Sequence, residues 1–124
     1  MNREKALQDV SLEELVQRFV VLALNEYEAV NSNQTSKYRR LYEQMSAVTN
    51  ELRSRAGDQR RALTALYTHP NVQVRLAAAR ATLALNYTEA RSVVQAIADS
   101  GVFPQAGDAG MTLSNLDRGV FRPS

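Results

Sequence analysis

The run His69-Pro70-Asn71-Val72-Gln73-Val74-Arg75-Leu76-Ala77-Ala78-Ala79-Arg80-Ala81-Thr82-Leu83-Ala84-Leu85 decides the fold. Pro70 has no amide proton and pushes His69 toward an extended conformation, so no helix passes through it. Asn71 then offers a side-chain oxygen to the first free amides of a new helix. From there, apolar and small residues fill almost every position. A helix apolar nearly all the way round has no face to give to water and must lie between other helices. Alanines at 77, 78 and 81 let those neighbours approach closely. The stretch predicts a helix over about 71–85, sandwiched within stacked helical hairpins.

Working outward, Ala62, Leu63, Leu66 and Tyr67 predict a preceding helix over about 58–68. Asp58 is placed to cap it, and Gly57 to end the helix before. Downstream, Asn86-Tyr87-Thr88 breaks the pattern, with Thr88 as the expected N-cap of a helix over about 88–99. Ala90, Val93, Val94, Ile97 and Ala98 line one face of that helix, and Gly101 ends it.

Nearer the N-terminus, residues 1–10 read as a short or frayed lead-in. Ser11-Leu12-Glu13-Glu14 then matches a capping box. Leu12, Leu15, Val16, Phe19, Leu22, Ala23, Tyr27 and Val30 follow at helical spacing, which predicts a first helix over 11–30. Asn31–Ser36 is a polar linker. Tyr38, Leu41, Tyr42, Met45, Val48 and Leu52 predict a second, amphipathic helix over 35–55. Four of the five glycines and two of the three prolines lie beyond residue 100, so 101–124 reads as an irregular tail. Its Val102, Phe103, Met111, Leu113, Leu116, Val120 and Phe121 imply that part of it packs back on the helices, with a helical turn near 112–117. No period-two run bounded by hairpin turns competes. The expectation is a single all-α domain over 1–124.

Composition narrows the functional classes. The chain has 124 residues and no cysteine, which excludes disulfides and thiolate chemistry and fits the cytosol. No apolar run has the ~18–20 residues of a membrane span, and the start is too polar and acidic for a signal peptide. The net charge of +2 is unevenly spread. Residues 1–30 have a balance of −3, residues 31–57 of +3 and residues 58–100 of +2. An acidic first helix therefore precedes a mildly basic middle.

The segment 58–85 resembles one repeat of the HEAT/armadillo class. Leu63 and Leu66 stand for the spaced leucines of the repeat's first helix. His69-Pro70 is its Pro-containing turn, and Val74-Arg75-Leu76-Ala77-Ala78-Ala79-Arg80-Ala81 is the second helix. The chain as a whole resembles a family of small bacterial proteins with a His-Pro-Asn-x-x-Val-Arg-x-x-Ala-Ala core followed by a Glu-Ala-Arg helix. The resemblance covers about residues 12–100. It implies a short α/α superhelix of about five helices over 11–100 and a bacterial cytosolic setting. It brings no established activity, although some members of such families are suspected partners of toxins.

No catalytic, cofactor or metal constellation is legible. His69 is the sole histidine; it lacks ligand partners at metal-binding spacing and reads as a turn residue. Adjacent Glu13 and Glu14 point to different faces of their helix, as do Glu26 and Glu28, and all read as solvated. Gly107 and Gly110 follow no strand, so they form no phosphate loop. Arginines carry the strongest remaining signal. Arg39, Arg40, Arg53, Arg60, Arg61, Arg75 and Arg91 are the candidate contacts for a partner or for phosphates. Interleaved Glu43, Glu51 and Asp58 and the low net charge weigh against nucleic acid.

These residues imply a non-enzymatic protein-interaction module with no cofactor. Nucleic-acid binding through the arginines and an immunity- or antitoxin-like role are the alternatives. Val20, Val21 and Leu24, off the main stripe of the first helix, leave a homo-oligomer open.

Overall fold

A computed structural model describes residues 6–124, and among these residues the regular structure is entirely helical. Close contacts divide the chain into two compact units, 1–62 and 63–124.

The N-terminal unit is a helical hairpin. Helix α1 spans Leu12–Asn31, and Ser11 caps it by accepting from the Glu14 amide at 3.1 Å. Leu15, Phe19, Ala23, Glu26 and Ala29 form its buried stripe. Glu26 is therefore no solvated carboxylate. It continues the inward period of Leu15, Phe19 and Ala23, and it is 1% exposed.

Helix α1 ends in a left-handed residue, Asn33, at φ 57°. The Asn33 amide donates to Val30 and the Gln34 amide to Ala29, at 3.2 and 2.8 Å, which closes the orphan carbonyls of the last turn. The chain thereby reverses into α2, Thr35–Ser54, which buries Leu41, Met45, Val48 and Leu52 against α1. Residues 6–10 are not frayed. Leu7–Asp9 form a 3-10 turn, Val10 is buried, and Arg55 donates to the carbonyls of Leu7 and Val10 at 3.0 and 2.6 Å.

Gly57 takes the left-handed conformation expected of it, at φ 79°. The next segment, Gln59–Thr68, is wound as a 3-10 helix of ten residues rather than as the α-helix that the leucine spacing suggested. The unit boundary falls inside it. Asp58 does serve its start, accepting from the Arg60 amide at 3.3 Å.

The C-terminal unit is a three-helix packing. Helix α3 spans Val72–Thr82 and buries eight of its eleven residues, so only a helix enclosed by others could keep this composition out of water. Asn71 caps it twice, accepting from the amides of Gln73 and Val74 at 2.8 and 3.2 Å. The helix stops at Thr82, three residues before the expected end. There the Thr82 hydroxyl donates to the Ala78 carbonyl at 2.8 Å, and the Leu85 amide tightens onto Thr82 at 3.0 Å. Helix α4, Tyr87–Ala98, starts one residue earlier than expected, with Asn86 in place of Thr88 at the N-cap.

The largest correction concerns the tail. Residues Gln105–Asp117 form a full helix, α5, packed on α4 and α3, where the sequence suggested irregular chain. Gly107 and Gly110 each cost an exposed helix about 1 kcal/mol relative to alanine. Burial of Ala106, Ala109, Thr112 and Leu113 outweighs that cost. Gly119, at φ 72°, closes the helix with the same pair of reversed bonds that ends α1. The expected packing of the tail onto the helices is present, but Val102, Phe103, Met111 and Val120 remain exposed.

Candidate functional site

The seven candidate arginines are divided between the two units. Arg39, Arg40, Arg53, Arg60 and Arg61 belong to the N-terminal unit, and Arg75 and Arg91 to the other. Within α2, Arg39 and Arg40 lie near the start and Arg53 near the end, roughly 20 Å apart at 1.5 Å per residue.

Several hold the fold. Arg60 is 6% exposed and forks onto Asp58, Nε to Oδ1 at 2.9 Å and Nη2 to Oδ2 at 2.7 Å. The hydrogen bonds from Arg60 hold the Asp58 carboxyl below the usual carboxylate range, and its partner Arg60 rises in turn. Arg53 adds a weaker positive field on the same carboxylate. Arg75 donates to the carbonyls of His69 and Pro70 at 2.8 and 3.0 Å, fastening the turn to the helix it precedes. Arg91 donates to the Tyr87 hydroxyl at 3.1 Å and pairs with Asp117 at 2.8 Å. Those two contacts, the Tyr87 hydrogen bond first, raise its pKa further.

Arg39, Arg40, Arg53 and Arg61 are exposed. Lys37 joins the first two at the start of α2. Tyr38 and Tyr42 stack there, ring centroids 6.4 Å apart.

Two arginines outside the candidate set matter as much. Arg55 ties the lead-in to α2 and pairs with Glu51 at 2.8 Å. Arg80 reaches from α3 to α5, bonding Thr112 at 3.1 Å and pairing with Asp108. Neither role is readable from spacing, because each depends on a partner 32 or more residues away. Gln105 makes a second tie between the same helices, its amide donating to Gln73 at 3.2 Å.

His69 serves the turn. Its Nδ1 accepts from the Asn71 amide at 3.0 Å, and its carbonyl accepts from Arg75. Among the described residues no group of three His, Asp or Glu side chains could hold a metal ion. Nor is any described helix long and apolar enough to cross a membrane.

Sequence reasoning missed an apolar surface beside α5. Phe103 is 71% exposed and Met111 61%. Phe103 lies over Gly107, where an added Cβ would sit 3.7 Å from its ring. Residues 103, 107 and 111 follow one another at steps of four, opposite the buried Ala106, Ala109 and Leu113. That spacing is the signal that could have found the patch, once 105–117 is read as a helix.

No curated protein matches the chain. Among solved structures, the crystal structure of the protein RPA1889 from Rhodopseudomonas palustris CGA009 is 43% identical and superposes with a TM-score of 0.91, covering 98% of this chain and 100% of that one. The model of a domain of unknown function, DUF2019, matches residues 13–117, and the chain belongs to that family.

Proposed function

We propose that this chain is a non-enzymatic protein-interaction module of the bacterial cytosol, built around a HEAT-like helical repeat. It binds a partner that presents its own apolar side chains, and the surface beside α5 receives them. The observation that carries this reading is the pair Phe103 and Met111, both largely in water. An exposed aromatic ring and a pliable methionine, at steps of four residues to either side of Gly107, supply apolar area that gains by desolvation, as contact centres between proteins do. Val102, in the segment before α5, is a further exposed apolar residue at 47%.

The repeat-like reading draws support from the order of its parts. Leu63 and Leu66 precede the Pro70 turn, and the alanine-rich α3 follows it, enclosed on nearly every side. Binding a toxin, as an immunity or antitoxin partner would, is one form of the same reading. Nucleic-acid binding draws less support. Arg60, Arg75 and Arg91 are engaged by Asp58, by turn carbonyls and by Asp117. The exposed cations Lys37, Arg39 and Arg40 at the start of α2 remain the part of that set a phosphate chain would meet first.

A photo-reactive phenylalanine analogue at position 103 tests the reading. The expected result is a defined adduct with one protein, lost in Met111→Asp and kept in Arg40→Ala. An adduct pattern indifferent to Met111→Asp overturns it. So does DNA or RNA binding that falls steeply with salt and disappears in Arg39→Glu/Arg40→Glu.

A further inference from the structure

Among the described residues, half of the exposed large apolar side chains lie between 102 and 120: Val102, Phe103, Met111 and Val120. Their spacing is palindromic. Val102 and Val120 each stand nine residues from Met111, one before α5 and one after it, and the counterpart of Phe103 is Gly119. Met111 itself is 61% exposed near the middle of the helix. Gly107 and Arg118 are exposed as well, on the side of α5 away from the buried Ala106, Ala109 and Leu113.

A palindromic surface is complementary to itself across a two-fold axis. With the axis at Met111 and perpendicular to α5, a second α5 runs antiparallel along the first. Met111 then meets Met111, Val102 comes level with Val120, and Phe103 with Gly119, which has no side chain to obstruct the ring. Helices α3 and α4 pack on the inner side of α5 and lie away from the axis in both copies.

We propose that the surface beside α5 pairs with the same surface of a second copy of this chain. The inference rests on the reading of that surface as a protein contact, and names the partner. Charge selects the antiparallel direction. Arg118 comes level with Pro104 of the other copy, beside its Phe103 ring, and a guanidinium is attracted to an aromatic face. Asp108 of that copy lies one turn further along, about 6 Å away at 1.5 Å per residue. Its side chain is 44% exposed, although Arg80 already pairs with Oδ1. Parallel helices would instead set Asp108 against Asp108 and Arg118 against Arg118, and like charges so placed oppose association. The contact is short, since the 13 residues of α5 span about 20 Å. Pairing over so small an area is weak and concentration-dependent.

A single cysteine reports the contact, because the chain has none of its own. In Met111→Cys two thiols meet at the axis, where a disulfide needs about 4 Å between Cβ atoms. Val21→Cys places a thiol at a similarly exposed site on α1 and is the control. Both variants are oxidised at one concentration, with maleimide labelling to check equal access. Met111→Cys is expected to form the covalent dimer about tenfold faster or more, because association raises the local thiol concentration. Sedimentation equilibrium of the wild type should show monomer and dimer. Met111→Asp sets two carboxylates together and should weaken the dimer about tenfold or more, with unchanged thermal melting to show that the fold is kept. Photo-crosslinking from position 103 should join two copies of the chain, with the second copy attached within 117–121. A wild type that stays monomeric at millimolar concentration overturns the inference, and so do equal oxidation rates for the two cysteine variants. A Met111-dependent adduct with a different protein also overturns it, but leaves the reading of the surface standing. An adduct indifferent to Met111→Asp overturns both.

Discussion

Helices α1 and α3 solve the problem of burial in opposite ways. The 20-residue α1 buries five residues in one stripe, flanks them with half-buried ones and exposes a face to water. The 11-residue α3 buries eight and keeps little surface at all. Arginines follow the same division. Around α3 and α4, Arg75, Arg80 and Arg91 reach back to carbonyls, to Asp108 and to Asp117. On α2, Arg39 and Arg40 extend into solvent. A helix enclosed by others turns its charges into ties, whereas a helix with a free face can present them to a partner.

The sharpest way to break this comparison is to remove core volume from α3 and surface volume from α1. Leu76 is fully buried, and Leu76→Ala should cost about 2–5 kcal/mol, lost transfer energy plus the cavity left behind. Leu24→Ala, at a site 37% exposed, should cost well under half as much. Urea midpoints of equal size for the two variants would show that α3 does not carry the burden its enclosure implies.

Arginine ties come next in size. Arg80→Ala removes both the ion pair to Asp108 and the hydrogen bond to Thr112, two of the links between α3 and α5. The expected loss is about 1–2 kcal/mol, since charge-assisted bonds on a partly buried guanidinium exceed those of surface pairs. Arg40→Ala should stay within about 0.5 kcal/mol, the usual range for surface changes. Thermal melting of both variants separates tie from display.

The helix caps sharpen the same contrast at a smaller scale. Asn71 accepts from two amides in a part-buried site, and Ser11 from one at an exposed site. Asn71→Ala should therefore cost about 1 kcal/mol and Ser11→Ala about half that. Both caps were readable in the sequence, because a cap is a local event: one side chain, two or three residues from the amide it serves. The enclosure of α3 was readable too, since no amphipathic arrangement of Val72–Thr82 exists. What escaped reading depends on distant partners or on competing costs. The fork of Arg60 onto Asp58 needs a left-handed Asp58, at φ 53°, that spacing does not announce. Glu26 turns inward because its place in the helical period outranks its charge. Helix α5 was hidden by its own glycines, whose local preference loses to packing on α4.

Those glycines give a prediction of opposite sign. Nothing lies within 4 Å of a Cβ added at Gly110, and its backbone is helical. Gly110→Ala should therefore stabilise the chain by about 0.5–1 kcal/mol, chiefly by restricting the unfolded state. An unchanged or lower melting temperature would mean that α5 needs flexibility at that point, which the fit of α5 against α4 gives no reason to expect.

The smallest expected effect lies at Asp58, in the N-terminal unit, where an arginine does act as a tie. Hydrogen bonds from Arg60 depress the folded-state pKa of this carboxyl below its ordinary value of 3.8. The unfolded chain therefore takes up the proton first as the pH falls. The stabilising contribution is complete above the unfolded value near 3.8 and disappears as the pH drops through the lower, folded value. In Asp58→Asn that component is absent at every pH. Wild type and variant should thus differ most near neutrality and converge in acid, by less than about 1 kcal/mol for a pair so near the surface. A gap that stays constant from pH 7 to pH 2 would instead assign the stabilising role of Asp58 to the turn it shapes, through its contact with the Arg60 amide, and not to its charge.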